Sequence, residues 1–229
     1  MFLYYISDRG QLSDHHDRSL ALLLERAEMA ARAGVDAIQI RERDLSPRDL
    51  LDISLQVVET VRRANSLDAS KPATRVLINS RVDLALACGA DGVHLRASDI
   101  PPSEARSMFV CAGLNSPTIG ISCHQISEIE SAEGQGATFA VFGPVFEKAG
   151  AGVTPIGVAA LREACTQRRA ARPPMPVLAL GGVDDSNALD CIVAGAAGIA
   201  GIRLFQSGNV SATVARLRVV ASKAKNFNA

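Results

Sequence analysis

The chain has 229 residues, of which 24 are basic and 24 acidic, so its formal net charge at pH 7 is zero. A neutral chain has no overall field that would attract nucleic acid or an anionic membrane, so any anion site must be local. With 48% hydrophobic residues and no tryptophan, the core must be mainly aliphatic, and no apolar run approaches the roughly 20 residues that span a bilayer.

Short apolar runs alternate with helical patterns along the whole chain. The predicted strands are Phe2–Ile6, Ala37–Ile40, Arg75–Ile78, Gly92–Leu95, Thr118–Ser122, Phe139–Phe142, Val177–Leu180 and Gly198–Ile202. The predicted helices are Ser19–Ala33, Pro47–Ala64, Val82–Cys88, Pro102–Phe109, Ile126–Glu133, Ile156–Ala171, Ala188–Ala194 and Val210–Lys223.

Eight β-α units with mostly unalternating apolar strands predict a parallel sheet that is covered on both faces. We therefore expect one α/β domain over residues 1–229, a single (β/α)8 TIM barrel. A doubly wound open sheet is the alternative, but Asp8-Arg9-Gly10 after the first strand lacks the glycine-rich turn of that fold. Five scattered cysteines without metal spacing indicate reduced packing thiols and a cytoplasmic protein.

The stretch Val177–Phe205 carries the strongest local signal for a ligand. It reads as a strand, the pair Gly181-Gly182, a helix with N-cap candidates at positions 184 to 186, and a second strand. Glycines let main-chain N–H groups approach an anion without a Cβ in the way. Because the loops after strands 7 and 8 of such barrels often bind phosphate, we expect a phosphate here.

Polar side chains cluster where the predicted strands end, which is where active sites of this fold lie. The candidates are Asp8, Arg9, Gln39, Arg41, Arg43, Asn79, Ser80, His94, Arg96, Asp99, Ser122, His124, Lys148, Gly181, Gly182, Ile202 and Arg203. Arginine binds phosphate and carboxylate groups bidentately, so this mouth suits a phosphorylated ligand that also carries a carboxylate.

Several of these residues also have a purely structural interpretation. Arg41 and Glu42 fit an ion-pair layer of the barrel, Asn79 fits a helix cap, and His94 fits a packed interior side chain. His124 lies on a loop, and histidine ordinarily titrates near neutral pH, so it is the better acid–base candidate.

Six motifs occur in order along the chain: I-Q-I-R-E-R-D at 38–44, L-I-N-S-R-V-D-L-A-L-A at 77–87, A-D-G-V-H-L-R-A-S-D at 90–99, I-G-I-S-C-H at 119–124, F-G-P-V-F at 142–146 and L-G-G-V-D-D-S-N at 180–187. In this order and spacing they resemble the thiamin phosphate synthase/TenI family, from about Leu3 to Phe205. The resemblance implies a β/α barrel that binds a small phosphorylated thiazole.

The resemblance implies one of two chemistries. A thiamin phosphate synthase joins hydroxymethylpyrimidine diphosphate to thiazole phosphate, releases pyrophosphate and uses Mg²⁺. A TenI-like tautomerase moves a proton on a thiazole phosphate carboxylate and needs no cofactor. A regulator that binds thiazole phosphate without catalysis is the third interpretation. No nucleic acid or membrane partner is expected, and homo-oligomers remain open.

The family's residues carry over unevenly. Its Gln, Asn, second Mg²⁺ carboxylate, Ser and two phosphate-site residues match Gln39, Asn79, Asp99, Ser122, Gly182 and Ile202. Its Lys becomes Arg43, its first Mg²⁺ carboxylate becomes Ser80, and the Gly-Gln before Asp99 becomes Arg96-Ala97. Lys148 stands in a replaced P-T-x-T-K loop, and Arg203 takes the place of a serine in the phosphate site.

Because these departures concentrate on the diphosphate half, the sequence favours the tautomerase over the synthase. In that interpretation His124 shuttles the proton while Ser122 and Gln39 orient the ring. The remaining substrate-binding residues are Arg41, Arg43, Asn79, Arg96, Lys148, Gly181, Gly182, Ile202 and Arg203. Asp99 would hold Mg²⁺ only in a synthase.

Overall fold

The computed structural model describes residues 1–147, 154–166 and 174–227. Eight parallel strands close into a barrel in chain order, with the last strand pairing back onto the first. They are β1 (Phe2–Ile6), β2 (Ala37–Ile40), β3 (Arg75–Asn79), β4 (Gly92–Leu95), β5 (Thr118–Cys123), β6 (Phe139–Phe142), β7 (Val177–Ala179) and β8 (Gly198–Gly201). The predicted (β/α)8 barrel is therefore confirmed.

Helices follow the strands and cover the outside of the barrel. They are α1 (His16–Ala33), α2 (Pro47–Ser66), α3 (Val82–Cys88), α4 (Pro102–Cys111), α5 (Ile126–Gly134), α6 (Gly157–Thr166), α7 (Ala188–Val193), α8 (Arg203–Gln206) and α9 (Val210–Phe227). The short α8 and a 3₁₀ turn at Arg9–Gln11 were not predicted. Lys148 and the predicted helical segment from 167 to 171 lie outside the described residues.

Local chemistry explains where the helices begin and end. Ser46 caps α2 by accepting a hydrogen bond from the backbone of Asp49, and Pro47 occupies the first turn. Gly34 ends α1 in the left-handed conformation, with φ of 85°. The N-cap prediction for α7 was wrong, because Asp184 accepts hydrogen bonds from Ser186 in a turn and Asn187 is the N-cap of the helix, which starts at Ala188 as predicted.

The barrel interior is a separate apolar cluster inside the larger core that lies between strands and helices. It contains Tyr4, Leu77, Phe139 and Leu178, which occupy inward positions of their strands. Successive strand residues point to opposite faces, so positions 37, 39 and 41 share the inner side of β2 and its extension. Towards the carboxyl ends of the strands these inward positions become polar, and there they line a cavity.

A buried ion-pair network lies beside the mouth of the barrel. In this network Glu42 pairs with Arg9 and not with Arg41, the partner that was predicted from the sequence. Glu42 accepts hydrogen bonds from the Ser7 hydroxyl and from both the backbone and the guanidinium of Arg9. Arg9 also binds Asp44 through two nitrogens, at 2.7 and 2.8 Å. Arg41 has no place in this layer, and its side chain lines the cavity instead.

The cysteines behave as the composition indicates. Cys88, Cys123 and Cys191 are buried thiols that form no disulfide. Burial raises the pKa of Cys123 to about 12 and that of Cys191 to about 12, so both stay protonated at neutral pH. Within the described ranges, no helix combines the length and the apolar composition that crossing a bilayer requires.

Candidate active site

A cavity of about 1020 Å³ opens at the carboxyl ends of the strands. It brings together nearly all the residues that the sequence placed there: Gln39, Arg41, Arg43, Asn79, Ser80, His94, Arg96, Ser122, His124, Gly181, Gly182, Ile202 and Arg203. Asp8 and Arg9 do not line it, Lys148 lies outside the described residues, and Asp99 lines a neighbouring cavity of about 300 Å³ next to Arg96.

One end of the cavity is built from the turns after β7 and β8. Gly181 and Gly182 have φ values of 93° and 64°, in the region that favours glycine. A Cβ on Gly182 would lie 2.6 Å from the Glu147 carbonyl oxygen, so a side chain has no room. The N–H groups of both glycines donate to no other described residue, and Arg203 has no ion-pair partner in the described chain. This end therefore offers bare N–H donors and one cation to an anion.

Arginines surround the arc of the mouth that follows β2 and β4. Burial lowers the pKa of Arg41, and the nearby positive charges of Arg43 and Arg96 lower it further, against the opposing effect of Asp8 and Glu42. Three guanidinium groups that line the same cavity favour an anion between them. The second anion-binding region thus follows β2 and β4, whereas Gly181 and Gly182 follow β7 and Arg203 follows β8.

Asp99, which the resemblance implies as a Mg²⁺ ligand, is already engaged in the structure. The Arg96 guanidinium contacts its Oδ1 through Nε at 3.2 Å and Nη2 at 3.0 Å, and the Arg96 backbone N–H donates to Oδ2. Burial raises the pKa of Asp99, but these bonds and one from Ser80 outweigh it, so the pKa lies below its usual value.

These residues do not fit a preformed Mg²⁺ site. Mg²⁺ prefers oxygen ligands and near-octahedral geometry, usually with one or two carboxylates. Here the single carboxylate is neutralised by Arg96, and Ser80 supplies a hydroxyl where the resemblance implies a second carboxylate. No group of three His, Cys, Asp or Glu side chains within the described ranges could hold a metal ion.

Gln39 and Asn79 form an amide pair in the cavity wall. Gln39 donates through Nε2 to Asn79 Oδ1 at 2.8 Å, and Asn79 donates through Nδ2 to the Ser80 hydroxyl at 3.1 Å. The cap interpretation of Asn79 is wrong, because α3 begins after Arg81 without a side-chain cap. Gln39 is only 2% exposed, and its Oε1 has no hydrogen-bond partner among the described residues, so it can accept a hydrogen bond from a ligand.

His94 lies inside the barrel between Tyr4 and Ser122. Its Nδ1 is 3.1 Å from the Tyr4 hydroxyl and its Nε2 is 2.9 Å from Ser122 Oγ. Burial lowers the pKa of His94 to about 3, and the charge of Arg41 adds to this effect. The packed-residue interpretation of His94 is confirmed, but the ring also contacts a predicted site residue. Tyr4 was missed, although the inward alternation of β1 marks its position.

His124 is exposed at the mouth and lines the cavity. Its Nδ1 is 2.7 Å from the carbonyl oxygen of Gly143, which can only accept, so Nδ1 carries the proton of the neutral ring. Its backbone N–H donates to Glu128, which fixes the start of α5. In the neutral ring, Nε2 is then the nitrogen without a proton. The catalytic role of His124 stays a prediction.

Comparison with known proteins gives a consistent family. Residues 3–205 match the model of the TMP-TENI family, described as thiamine monophosphate synthase. A thiamine-phosphate synthase of Methanoculleus marisnigri is 36% identical over 207 residues, covering 87% of this chain and 89% of the relative. One from Clostridium novyi is 35% identical over 199 residues, covering 86% of each chain.

A solved structure agrees with these relatives. The thiamine phosphate pyrophosphorylase from Pyrococcus furiosus has a TM-score of 0.76 and 27% identity, and the match covers 97% of this chain and 96% of that one. These relatives are named as transferases that make thiamine phosphate, whereas the preference for the tautomerase branch gains no support from them. The chain belongs to the TMP-TENI family of thiamine biosynthesis proteins.

Proposed function

We propose that this chain is a thiamin phosphate synthase, which joins a hydroxymethylpyrimidine diphosphate to a thiazole phosphate and releases pyrophosphate. The observation that carries the proposal is one cavity of about 1020 Å³ with anion-binding groups on two arcs of its mouth. That volume is at the upper end of the range for small-molecule sites, so it suits two phosphorylated substrates side by side. The names of the relatives support the same reaction.

The two anion-binding regions take different substrates in this proposal. Gly181, Gly182 and Arg203 hold the thiazole phosphate, while Arg41 and Arg43 hold the diphosphate together with Arg96. The bond between the pyrimidine methylene carbon and the diphosphate oxygen breaks, and its electron pair leaves with pyrophosphate. The lone pair of the thiazole nitrogen then forms the new carbon–nitrogen bond. Guanidinium groups stabilise the charge that develops on the leaving group.

The buried polar wall orients the pyrimidine in this scheme. Gln39 Oε1 is a desolvated acceptor without a partner, so it selects a ligand group that donates, such as a ring amine. Ser122 supplies a hydroxyl at the same cavity. No step is assigned to a metal ion, because the described carboxylates do not form a site for one. A cytoplasmic location is part of the same proposal and rests on the buried thiols.

The test is a two-substrate assay on the purified chain. We expect thiamin phosphate and pyrophosphate to appear together, and only when both substrates are present. Arg43→Ala should lower kcat/KM by about tenfold or more, since a charge-assisted hydrogen bond is worth about 1.5–3 kcal/mol. The matched control is Arg63→Ala, an exposed arginine of α2 that does not line the cavity. Absence of turnover with both substrates would refute the proposal.

A tautomerase is the second candidate, because His124 presents a tethered imidazole with a free Nε2 at the cavity. In this case a thiazole phosphate carboxylate alone would be the substrate, and Arg43 or Arg96 would hold its carboxylate. His124→Ala distinguishes the two functions. It should abolish proton exchange on the thiazole if the chain is a tautomerase, whereas the synthase reaction requires no proton shuttle on that ring.

A further inference from the structure

A chain of three hydrogen-bonded side chains leads from the centre of the barrel to the wall of the cavity. Tyr4 is fully buried, His94 is 2% exposed, and Ser122 reaches the cavity. We propose that Tyr4 is a positioning residue that fixes His94 as the Nε2–H tautomer, so that Ser122 directs its hydroxyl proton at an acceptor atom of the substrate. This inference rests on the proposed function only in taking the cavity as the substrate site.

The direction of the hydrogen bonds from Tyr4 through His94 to Ser122 follows from the Tyr4 hydroxyl. Burial raises the pKa of Tyr4 well above its ordinary value, so the hydroxyl keeps its proton. Its one hydrogen-bond partner in the described chain is His94 Nδ1. If Nδ1 carried a proton, it would donate to the tyrosine oxygen and leave the buried hydroxyl proton without an acceptor, which is costly. Tyr4 therefore donates, and Nδ1 accepts.

The polarity of Ser122 follows in turn. A neutral ring that accepts at Nδ1 carries its proton on Nε2, and this N–H donates to Ser122 Oγ at 2.9 Å. The serine proton then has to point elsewhere, and Ser122 has no other side-chain partner in the described residues. Its hydroxyl lines the cavity, so the proton faces the ligand. The matching ligand atom is an acceptor without a proton of its own, a phosphate oxygen or a ring nitrogen.

Packing prevents a half-turn of the His94 ring, which would put ring carbons where Nδ1 and Nε2 meet Tyr4 and Ser122 and would break both hydrogen bonds. A Cβ at Gly120, the β5 residue paired with His94, would lie 2.6 Å from His94 Nδ1 and 2.6 Å from Phe139 Cζ. The Tyr4 ring centroid lies 5.5 Å from that of His94 and 5.1 Å from that of Phe139. Position 120 thus has no side chain because the two rings fill its space.

The charged groups near His94 leave its ring neutral. Arg41 lowers the pKa of His94, whereas Asp99 raises it, and desolvation is larger than either effect. His124 shows the opposite polarity, because its Nδ1 must donate to the Gly143 carbonyl. The two histidines of the cavity therefore carry their protons on different nitrogens, which provides an internal comparison.

The first experiment reads the tautomers directly, without substrate. In ¹⁵N-histidine-labelled protein at pH 7, two-bond ¹H–¹⁵N spectra should show His94 as a pure Nε2–H ring and His124 as an Nδ1–H ring. Single His→Gln variants assign the signals of the four histidines. Tyr4→Phe should turn the His94 pattern into a mixture. A protonated or Nδ1–H ring at His94 in the unmodified protein would overturn the proposal, whatever reaction the chain catalyses.

The second experiment connects the tautomer to ligand binding. Calorimetric titration uses inorganic pyrophosphate and hydroxymethylpyrimidine as separate probes. Ser122→Ala should weaken one of them about tenfold, which is about 1.4 kcal/mol, and Tyr4→Phe should weaken the same one. Loss with pyrophosphate identifies a phosphate oxygen as the acceptor, and loss with the pyrimidine identifies a ring nitrogen. In the Ser122→Ala background, Tyr4→Phe should have no further effect, because Tyr4 acts through Ser122.

The adjacent tyrosine provides the control. Tyr5 is equally buried on the opposite face of β1, and its hydroxyl has no hydrogen-bond partner in the part of the chain that the structure describes. Tyr5→Phe should change neither the His94 spectrum nor the affinity for either probe. Unchanged affinity for both probes in Tyr4→Phe would refute the proposal. Intact tautomers and probe effects without any two-substrate turnover would refute the synthase function and leave this inference standing.

Discussion

Gly120 is the position at which the packing of the barrel interior is most easily tested. An alanine there would place its Cβ 2.6 Å from both His94 Nδ1 and Phe139 Cζ and 3.0 Å from Phe139 Cε2. Both rings belong to residues that are 2% exposed, so neither can move into solvent. Overpacking of this kind costs about 1–3 kcal/mol. For a domain of this length, Gly120→Ala should lower Tm by about 2–12 °C.

Urea unfolding and calorimetry measure this loss, and a second glycine makes the comparison specific. Gly134, the last residue of α5, has no atom within 4 Å of an added Cβ. Gly134→Ala should be neutral or stabilise the protein by up to about 1 kcal/mol, because alanine is the better helix former. The histidine spectrum of Gly120→Ala should also lose the pure Nε2–H pattern of His94. Equal stability of the two variants would show that the His94 and Phe139 rings do not fill the space at position 120.

Three further predictions concern the rest of the molecule. Glu42→Ala should destabilise the fold by about 1–3 kcal/mol in urea unfolding, since it leaves the Ser7 hydroxyl and the Arg9 backbone N–H without their acceptor, whereas Glu28→Ala, in an exposed helical pair, should cost about 0.5 kcal/mol or less. His94 is neutral in the folded protein, with a pKa of about 3, but takes up a proton below about pH 6.5 in the unfolded chain. The free energy of unfolding should therefore fall as the pH drops below 6.5, by up to about 1.4 kcal/mol per pH unit, and His94→Gln should flatten this slope. A slope that His94→Gln leaves unchanged between pH 6.5 and 4.5 would contradict this. Inorganic pyrophosphate should bind in the presence of EDTA, and Arg96→Ala should weaken that binding about tenfold or more in calorimetric titration; binding that requires Mg²⁺ would contradict the assignment to arginines.

The sequence predicts the barrel well because each strand is a local signal. The bounds of β1, β2, β4 and β6 agree with their apolar runs, and the other strands differ by one residue at the carboxyl end. The rim was also predictable, since a residue that follows a parallel strand must reach the same edge of the sheet. Gly182 follows β7, and Gln39 and Ser122 lie next to the last residues of β2 and β5, so all three reach the cavity at this edge.

What the sequence did not predict depends on contacts that cross the barrel or on pairing within a loop. Tyr4 meets His94 only when the sheet closes, and the two residues are 90 positions apart. The position of Arg9 at the rim was predictable from the sequence. Its ion pair with Glu42 was not, because the pair depends on the burial of both side chains. The preference for a tautomerase came from the replaced diphosphate residues, and the names of the relatives do not support it.

The Gly181-Gly182 turn, which we propose binds phosphate, is itself held by the neighbouring loop. Val145 donates its backbone N–H to the Leu180 carbonyl at 2.8 Å, and Phe146 donates to the Gly181 carbonyl at 3.0 Å. These two hydrogen bonds hold the backbone of residues 180 and 181 in place, so the orientation of the N–H donors is fixed before a ligand binds. In the proposed site, the affinity for phosphate therefore depends partly on the backbone of Val145 and Phe146, which holds the turn and is not among the proposed phosphate-binding groups. A substitution in the loop after β6 that breaks these two hydrogen bonds should weaken phosphate binding, although every group proposed to contact the phosphate is intact.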